Sequence, residues 1–268
     1  MVDTTEVPEP STKRLLRGNA AEQILNDLRD SILRGEFARG ARLPTERQLA
    51  EMYGVSGPTI REAIRGLTTA RLIEVRHGSG AYVTADSDQL LAVSLNSMMR
   101  MECVGVAELL GVLSSLHAYA AERSALLASE EDIARMEDAL AAIDAASRVN
   151  DIPDALIQFL GAIVNSSGNP LLAILCRFLS NVQVQITGEL SGSSLEGWRS
   201  TARPMTAQRE QLVKAIRARD PAAARAAAEA YHQKSIEVIG ALPRAGAVRA
   251  SDPGLSKMLA ALLQRIQV

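Results

Sequence analysis

The sequence predicts a mainly α protein, with an N-terminal winged helix-turn-helix domain followed by an all-α helical bundle. Residues 43–83 read as two short helices joined by a tight turn and followed by a β-hairpin. Beyond residue 88, alanine, leucine, isoleucine and arginine recur with helical periodicity and few β-branched runs. The 268-residue length suits about two domains of ordinary size.

In the first helix, Asn19 stands at the cap, Ala21, Ile24, Leu28 and Ile32 recur on one stripe, and Gly35 closes it. Leu43-Pro44 is an extended stop, because a residue before proline is pushed out of the α region. Thr45 and Gln48 then have capping-box spacing, so a second helix begins at Glu46 and stops at Gly54, a residue type suited to the left-handed conformation past a helix end. Ser56 caps a third helix with Gly57-Pro58 in its first turn, where a missing N–H does no harm. Ile60, Ala63, Ile64 and Leu67 form its apolar face, which leaves Thr59, Arg61, Glu62 and Arg65 outward. Residues 72–76 and 81–83 then flank His77-Gly78-Ser79-Gly80, a hairpin loop of turn formers.

This arrangement implies duplex DNA as a partner. A helix fits the major groove, where arginine bonds guanine O6 and N7 in a bidentate contact worth about 1–3 kcal/mol of discrimination. Hydroxyls and helix N-termini suit phosphates. Arg61 and Arg65 are therefore candidate base readers, Thr45, Ser56 and Thr59 candidate backbone contacts, and His77, Gly78 and Ser79 a candidate wing tip. Arg34, Arg39 and Arg42 gather before the capping box, placed for the flanks of the same site. An isolated TxxQ or HGSG would be an ordinary cap or turn; four signals in this order and spacing are a module.

Residues 19–83 resemble the DNA-binding domain of the GntR family of bacterial transcription regulators. The resemblance is carried by Gly35, Gly40, Leu43-Pro44-Thr45-Glu46-Arg47-Gln48-Leu49-Ala50, Gly54-Val55-Ser56, Thr59-Ile60-Arg61-Glu62-Ala63-Ile64, Leu67, Leu72-Ile73 and Gly78-Ser79-Gly80-Ala81-Tyr82-Val83. It implies DNA contacts at Arg47, Thr59, Arg61, Arg65, His77 and Gly78. Two departures stand out: Gly57 replaces the arginine usual in the family, and Arg71 replaces a common glycine.

A formal net charge of −2 suits DNA binding only once it is divided along the chain. Residues 13–84 hold twelve Lys/Arg against eight Asp/Glu, a balance of +4, while 1–12 and 85–268 each carry −3. Positive charge is thus concentrated where counterion release requires it. Cys103 and Cys176 have no paired spacing, which argues for a reducing, cytoplasmic setting. No continuous apolar run approaches the roughly 20 residues of a membrane span, so no membrane partner is expected. The polar start, residues 1–17, reads as a flexible arm rather than a signal peptide.

The expected organisation is the arm at 1–17, the winged helix-turn-helix at 18–84, a linker and connecting helix at 85–100, an all-helical effector-binding and dimerisation domain at 101–240, and an extension at 241–268. Helices are expected at 88–100, 105–128, 130–147, 151–166, 170–190, 204–219 and 221–240, with Gly168-Asn169-Pro170 and Asp220-Pro221 as strong breaks. After Ala241 a flexible Pro/Gly/Ala segment leads to Leu255, Met258, Leu259, Leu262, Leu263 and Ile266, amphipathic by spacing.

Residues 129–136, Phe159 with Ile163, residues 165–171, and residues 215–220 followed by Ala224 resemble the FCD sensor domain of the FadR-type GntR branch. That resemblance implies an all-α, FCD-like effector domain and a homodimer that binds a palindromic double-stranded operator and is controlled by a small molecule. Many FCD relatives hold a divalent metal with an aspartate and three histidines, and grip a carboxylate with an early arginine. Here Leu156 and Leu160 replace an Asp and a His, Arg209 replaces the next His, Tyr231-His232 lie near the last, and Leu113 and His117 stand where the arginine and its companion acid would be. A complete metal site is absent, and no cofactor is expected. His117 and His232 can meet across the bundle, but two imidazoles without carboxylate support do not argue a metal. The three leucines predict an apolar cavity and a hydrophobic effector such as a fatty acid or acyl thioester, with Arg209, Tyr231 and His232 at a polar head.

The alternatives are a metal-dependent organic-acid sensor of the same family and a constitutive DNA binder without an effector. An enzyme is not expected. There is no Walker loop, no GxSxG and no His/Cys cluster, and an aminotransferase-type partner domain would need a far longer chain and an α/β fold.

Overall fold

The computed structural model describes residues 19–76, 78–84 and 87–252, with the side chains of 87–90 excepted. The expectations for the arm at 1–17, for His77 and for the amphipathic helix beyond residue 252 lie outside the described residues. The chain divides into two units between Leu90 and Leu91.

The first unit contains α1 (Ala20–Leu33), α2 (Glu46–Tyr53), α3 (Gly57–Thr69), β1 (Ile73–Arg76) and β2 (Gly80–Val83). Asn19 occupies the cap position of α1 without capping it, because its carboxamide turns to Glu22. Gly35 follows at φ 77°. The capping box of α2 forms in full: the Gln48 amide donates to Thr45 Oγ1 at 3.3 Å and the Thr45 amide to Gln48 Oε1 at 2.9 Å. Gly54 is left-handed at φ 65°, which turns the chain directly into α3. Ile24 and Leu28 from α1, Leu49 from α2, Ile60 and Leu67 from α3, and Ile73 and Val83 from the hairpin close one core. The Tyr53 hydroxyl ties α2 to α1 through Asp27 Oδ2 at 2.8 Å.

The hairpin pairs antiparallel with Ile73 opposite Val83 and Arg76 opposite Gly80. Residues 40–43 run beside β2 as well, since Leu43 donates to the Ala81 carbonyl at 2.8 Å and Val83 to the Ala41 carbonyl at 2.9 Å. The sequence did not reveal this third edge, because Gly40 and Pro44 mask any alternation there.

Helix α3 ends in a Schellman turn, with Arg71 donating to the Thr68 carbonyl at 3.0 Å and Leu72 to the Leu67 carbonyl at 3.0 Å. The turn requires left-handed backbone at Arg71, which sits at φ 56° and is exposed. This is why glycine suits the position. An Arg71→Gly variant is expected to gain about 0.5–1 kcal/mol, read as a higher midpoint in thermal unfolding of the first unit; an unchanged or lower midpoint would disprove the strain.

Helix α4 (Ser87–Met101) bridges to the second unit, followed by α5 (Val106–Leu127), α6 (Glu130–Asp144), α7 (Asp151–Asn165), α8 (Pro170–Leu190), α9 (Leu195–Ala202), α10 (Thr206–Arg217) and α11 (Pro221–Gly240). Three of the predicted starts carry a side-chain cap: Ser129 Oγ accepts from the Asp132 amide at 3.1 Å, Asn169 Oδ1 from Leu172 at 3.1 Å, and Asp220 Oδ1 from Ala223 at 3.0 Å. Helices α5 and α11 lie along each other, allowed by fully buried Ala118, Ala121, Ala224 and Ala228. Around them α6, α7, α8 and α10 close a core over Phe159, Leu160, Met136 and Ile216.

Helix α9 was not expected. Its eight residues follow a Gly/Ser-rich stretch and are too few to show a period. Ser194 caps it, and its Trp198 packs against α8 at Gly188, where a Cβ would stand 2.9 Å from the indole.

Two further expectations need correction. Helix α8 is in fact long and apolar enough to cross a membrane, with a mean hydropathy of 1.3, yet 61% of that window is buried in the bundle, which is where its apolar surface is used. Residues 241–252 are not a flexible tether. Ala245, Val248 and Ala250 are buried, and the Ala250 amide donates to the Val104 carbonyl at 2.9 Å.

Candidate DNA-binding face and effector cavity

The outward face of α3 is as its spacing implies. Ile60, Ala63, Ile64 and Leu67 are buried, while Arg61 and Arg65 are exposed and Thr59 is half-buried. Arg65 makes no ion pair among the described residues. Arg61 Nη1 rests 3.7 Å from Glu46 Oε2 at the start of α2, and both side chains are about half exposed, at 53% and 50%. An exposed pair of this kind contributes about 0.2–1 kcal/mol, so it orients Arg61 without locking it away from a base. Ser56 is the cap residue of α3, but its hydroxyl bonds Thr59 Oγ1 at 2.9 Å instead of a backbone amide, which corrects the expectation of a side-chain cap. Both hydroxyls therefore sit together at the helix start, where phosphates are bound.

Thr45 is exposed but committed to the α2 capping box, and Arg47 stands on the surface with Glu51 at 3.9 Å. Arg34 is less available than expected. Its Nε donates to Glu36 at 2.6 Å and its Nη2 to Ser31 at 3.2 Å. The hydrogen bond to Glu36 raises the guanidinium pKa, and the same bond lowers that of Glu36.

At the wing, Gly78 takes φ 72° and Ser79 Oγ lies 2.7 Å from the Tyr82 hydroxyl. Arg76 lies over the Tyr82 ring at 4.6 Å, a diagonal pairing that follows from the register of β1 and β2, in which Glu74 stands opposite Tyr82 and Arg76 opposite Gly80. Arg42 crosses the base of the wing directly over Gly80: a Cβ there would stand 2.8 Å from Arg42 Nε and 3.2 Å from Nη2, and φ is 111°. Gly80→Ala is therefore expected to cost about 1–3 kcal/mol of stability and to displace the Arg42 guanidinium. Circular dichroism melting with anisotropy on labelled duplex DNA checks both effects; loss of neither would remove the constraint.

In the second unit the predicted effector residues part company. Leu113 packs with Val182 and Ile186 in the cluster under α4. Leu156 joins Trp198 and Ile152 beside α9, and Leu160 joins Phe159 and Tyr231 in the main core. The three leucines fill three different cores, so replacing polar groups by leucine built packing and not one apolar chamber. Leu156 and Leu160 do border a small cavity with Gln183, Thr187, Thr201 and Tyr231, of about 20 Å³. A water needs roughly 10–15 Å³ by this measure. An acyl chain has no ready-made channel there, although Val184, Trp198, Ala202, Met205 and Ile239 make the rest of the wall apolar.

His117 and His232 do meet: Nδ1 of the first lies 2.7 Å from Nε2 of the second, and Ser180 Oγ lies 3.3 Å from His117 Nε2. Both rings are buried. Burial pushes the His117 pKa down to about 4, and burial followed by the neighbouring His117 lowers His232 as well. Both imidazoles are neutral at pH 7. Among the described residues no three His, Cys, Asp or Glu side chains gather as a metal site.

Arg209 is 1% exposed. Its Nη2 donates to the Ala202 carbonyl at 2.9 Å and to Thr206 Oγ1 at 3.1 Å, while Nε and Nη1 have no partner. Gln183 Oε1 and His232 Nδ1 are likewise buried and unpartnered. The 3.3 Å bond from Gln183 Nε2 to Ser235 Oγ satisfies only one end of that amide.

Comparison with known proteins matches both units. Residues 20–83 match the family described as bacterial regulatory proteins, gntR family, and residues 108–234 match the FCD domain. An uncharacterized HTH-type transcriptional regulator of Mycobacterium tuberculosis is 29% identical over 218 residues, 80% of this chain and 87% of that one. The Uxu operon transcriptional regulator of Escherichia coli is 35% identical over 153 residues, 56% and 59% of the two chains. A solved Streptococcus agalactiae GntR structure superposes with a TM-score of 0.58 at 26% identity, covering 80% of this chain and 97% of that one. The chain is a DNA-binding transcription regulator, and not an enzyme, that belongs to the GntR family of bacterial regulatory proteins with an FCD domain as its second unit.

Proposed function

We propose that the protein is a cytoplasmic, homodimeric repressor that holds a palindromic operator in its free state and releases it when a small molecule enters the helical unit. The observation that carries the reading is the exposed Arg61/Arg65 face of α3, presented by a helix-turn-helix with a wing beside it. One such module reads a short half-site, and two-fold pairing doubles it. The dimer has support from α5, where Val112, Tyr119 and Leu126 are exposed at seven-residue intervals, an apolar stripe that a second copy of the same helix would cover. Effector control has support from the unpartnered polar groups inside the helical unit, which an internal ligand would satisfy.

A ligand shifts such an equilibrium only by binding one state more tightly than the other. The test starts from duplexes selected out of a random pool by the full-length protein. Recovered sequences with two inverted half-sites, a particle of twice the chain mass in sedimentation, and blocked transcription from a promoter carrying the site are the expected results. Non-palindromic selection with a monomeric complex would overturn the dimeric reading, and activation of that promoter would overturn repression.

A further inference from the structure

We propose that Glu46 is a specificity-determining positioning residue for DNA recognition, holding the Arg61 guanidinium away from the phosphate backbone and yielding it only to a guanine edge. This rests on the reading of α3 as the base-reading helix and names what makes that helix selective.

Arg61 leaves the second turn of α3 folded back along the helix instead of extending from it. Its Nη1 lies 3.7 Å from Glu46 Oε2 in the first turn of α2. The same nitrogen would stand 3.7 Å from a Cβ at Gly57, one turn earlier, so the guanidinium lies over that glycine, in space that a side chain there would share. Both ends of the pair stand on fixed backbone. The Thr45/Gln48 box sets the first turn of α2, and left-handed Gly54 sets the turn into α3. Arg65, one turn further along α3, is exposed and has no ion-pair partner among the described residues. The two arginines of one face are therefore held differently.

Neither packing nor capping needs Glu46. Its side chain is 50% exposed, and the start of α2 is already closed by its capping box. What the carboxylate meets is the positive end of the helix dipole and Arg61. An acid on a surface that faces a polyanion offsets part of the attraction that basic residues supply on every sequence. It is useful where it weakens the wrong complex more than the right one. Magnitudes decide this. Breaking an exposed ion pair corresponds to about fivefold at most. A bidentate guanine contact is worth about fivefold to over a hundredfold, so guanine draws Arg61 off Glu46. A lone phosphate contact, exposed and screened by salt, has no such advantage over the pair. Along DNA without that guanine Arg61 stays on Glu46, and the module binds through Arg65 and the hydroxyls of Ser56 and Thr59, 2.9 Å apart at the start of α3.

The experiment titrates the full-length protein by anisotropy against the selected duplex and a random duplex of equal length, between about 50 and 200 mM salt. Glu46→Gln keeps the shape and removes the charge. It is expected to tighten random-duplex binding about twofold to fivefold per module and to lower the selected-to-random ratio. The slope of log affinity against log salt on the random duplex steepens by about 0.9 per module, as one more phosphate is neutralised. Glu46→Asp, which keeps the charge, holds random affinity below that of E46Q. In an Arg61→Ala background the gain from E46Q disappears. As a surface change, E46Q leaves the unfolding midpoint within the small range usual for such sites. Equal weakening on both duplexes, which loss of the dipole interaction in α2 would give, overturns the proposal. So does an unchanged salt slope, or a gain undiminished in the R61A background, which would assign the effect to bare charge. If R61A loses discrimination while E46Q changes nothing, α3 remains the base reader and the role of Glu46 falls; if R61A keeps full discrimination, both fall together.

Discussion

Alanine in place of Arg61 is expected to weaken binding to a selected operator duplex by about tenfold or more for each half-site, since one bidentate guanine contact is worth about 1–3 kcal/mol and tenfold in affinity is 1.4 kcal/mol. The loss falls on recognition and not on folding. Arg61 is exposed, its pairing with Glu46 at 3.7 Å is weak, and the residues that fasten α3 to the core are Ile60, Ala63, Ile64 and Leu67. Unfolding midpoints should therefore agree within the small range usual for surface changes. Arg61→Lys separates charge from geometry, because lysine keeps the phosphate attraction but cannot make the planar two-point contact. The expected pattern in anisotropy titrations is strong loss on the selected duplex and little loss on random DNA for both variants. Undiminished discrimination in R61A would move base reading to Arg65 or the wing.

Gly57 bears on the same surface. A Cβ at that position would meet only Arg61 Nη1, at an ordinary 3.7 Å, so nothing in the fold forbids a larger residue there. Packing therefore does not require glycine at this position.

Local chemistry made much of this architecture legible. The Thr45/Gln48 box, the left-handed Gly54 and the Asn169 and Asp220 caps each depend on residues within three positions, and each stands where its spacing placed it. What escaped depends on partners distant in sequence. The fate of Leu113, Leu156 and Leu160 was set by which helices surround them, and aligning them with a family's ligand site said nothing about that. The edge formed by residues 40–43 has no alternation to announce it. Helix α9 is shorter than three turns, and its packing relies on Gly188 making room for Trp198 across α8. Arg209 was singled out as a polar head-group contact, yet its burial with two nitrogens unpartnered is visible only in three dimensions. The meeting of His117 and His232 was open in the sequence, since the two lie 115 residues apart and only the pairing of α5 with α11 joins them.

That pairing makes the helical unit acid-sensitive. Histidine in an unfolded chain titrates near 6.5, and burial holds His117 down to about 4, with His232 also lowered. Between these values the unfolded state binds protons that the folded state refuses, so stability is complete above about pH 6.5 and declines as pH falls toward 4. A shift of this size corresponds to about 3 kcal/mol from His117 alone, and His232 adds to the same direction because two imidazolium rings in hydrogen-bond contact would repel. The carboxylates do not account for this window. Asp132 is held below its usual range despite partial burial, through the Ser129 hydroxyl and amide, and Asp151 by the Ser147 and Arg148 amides; both therefore lose their contribution below about pH 4. The expected result is a steep fall in the unfolding midpoint of the helical unit from pH 6.5 to 4, followed through buried Trp198. In a His117→Gln, His232→Gln double variant, which keeps polar groups but cannot take up protons, the slope flattens across that interval even if the midpoint at pH 7 is lower. A slope unchanged by the double substitution would place the acid sensitivity elsewhere.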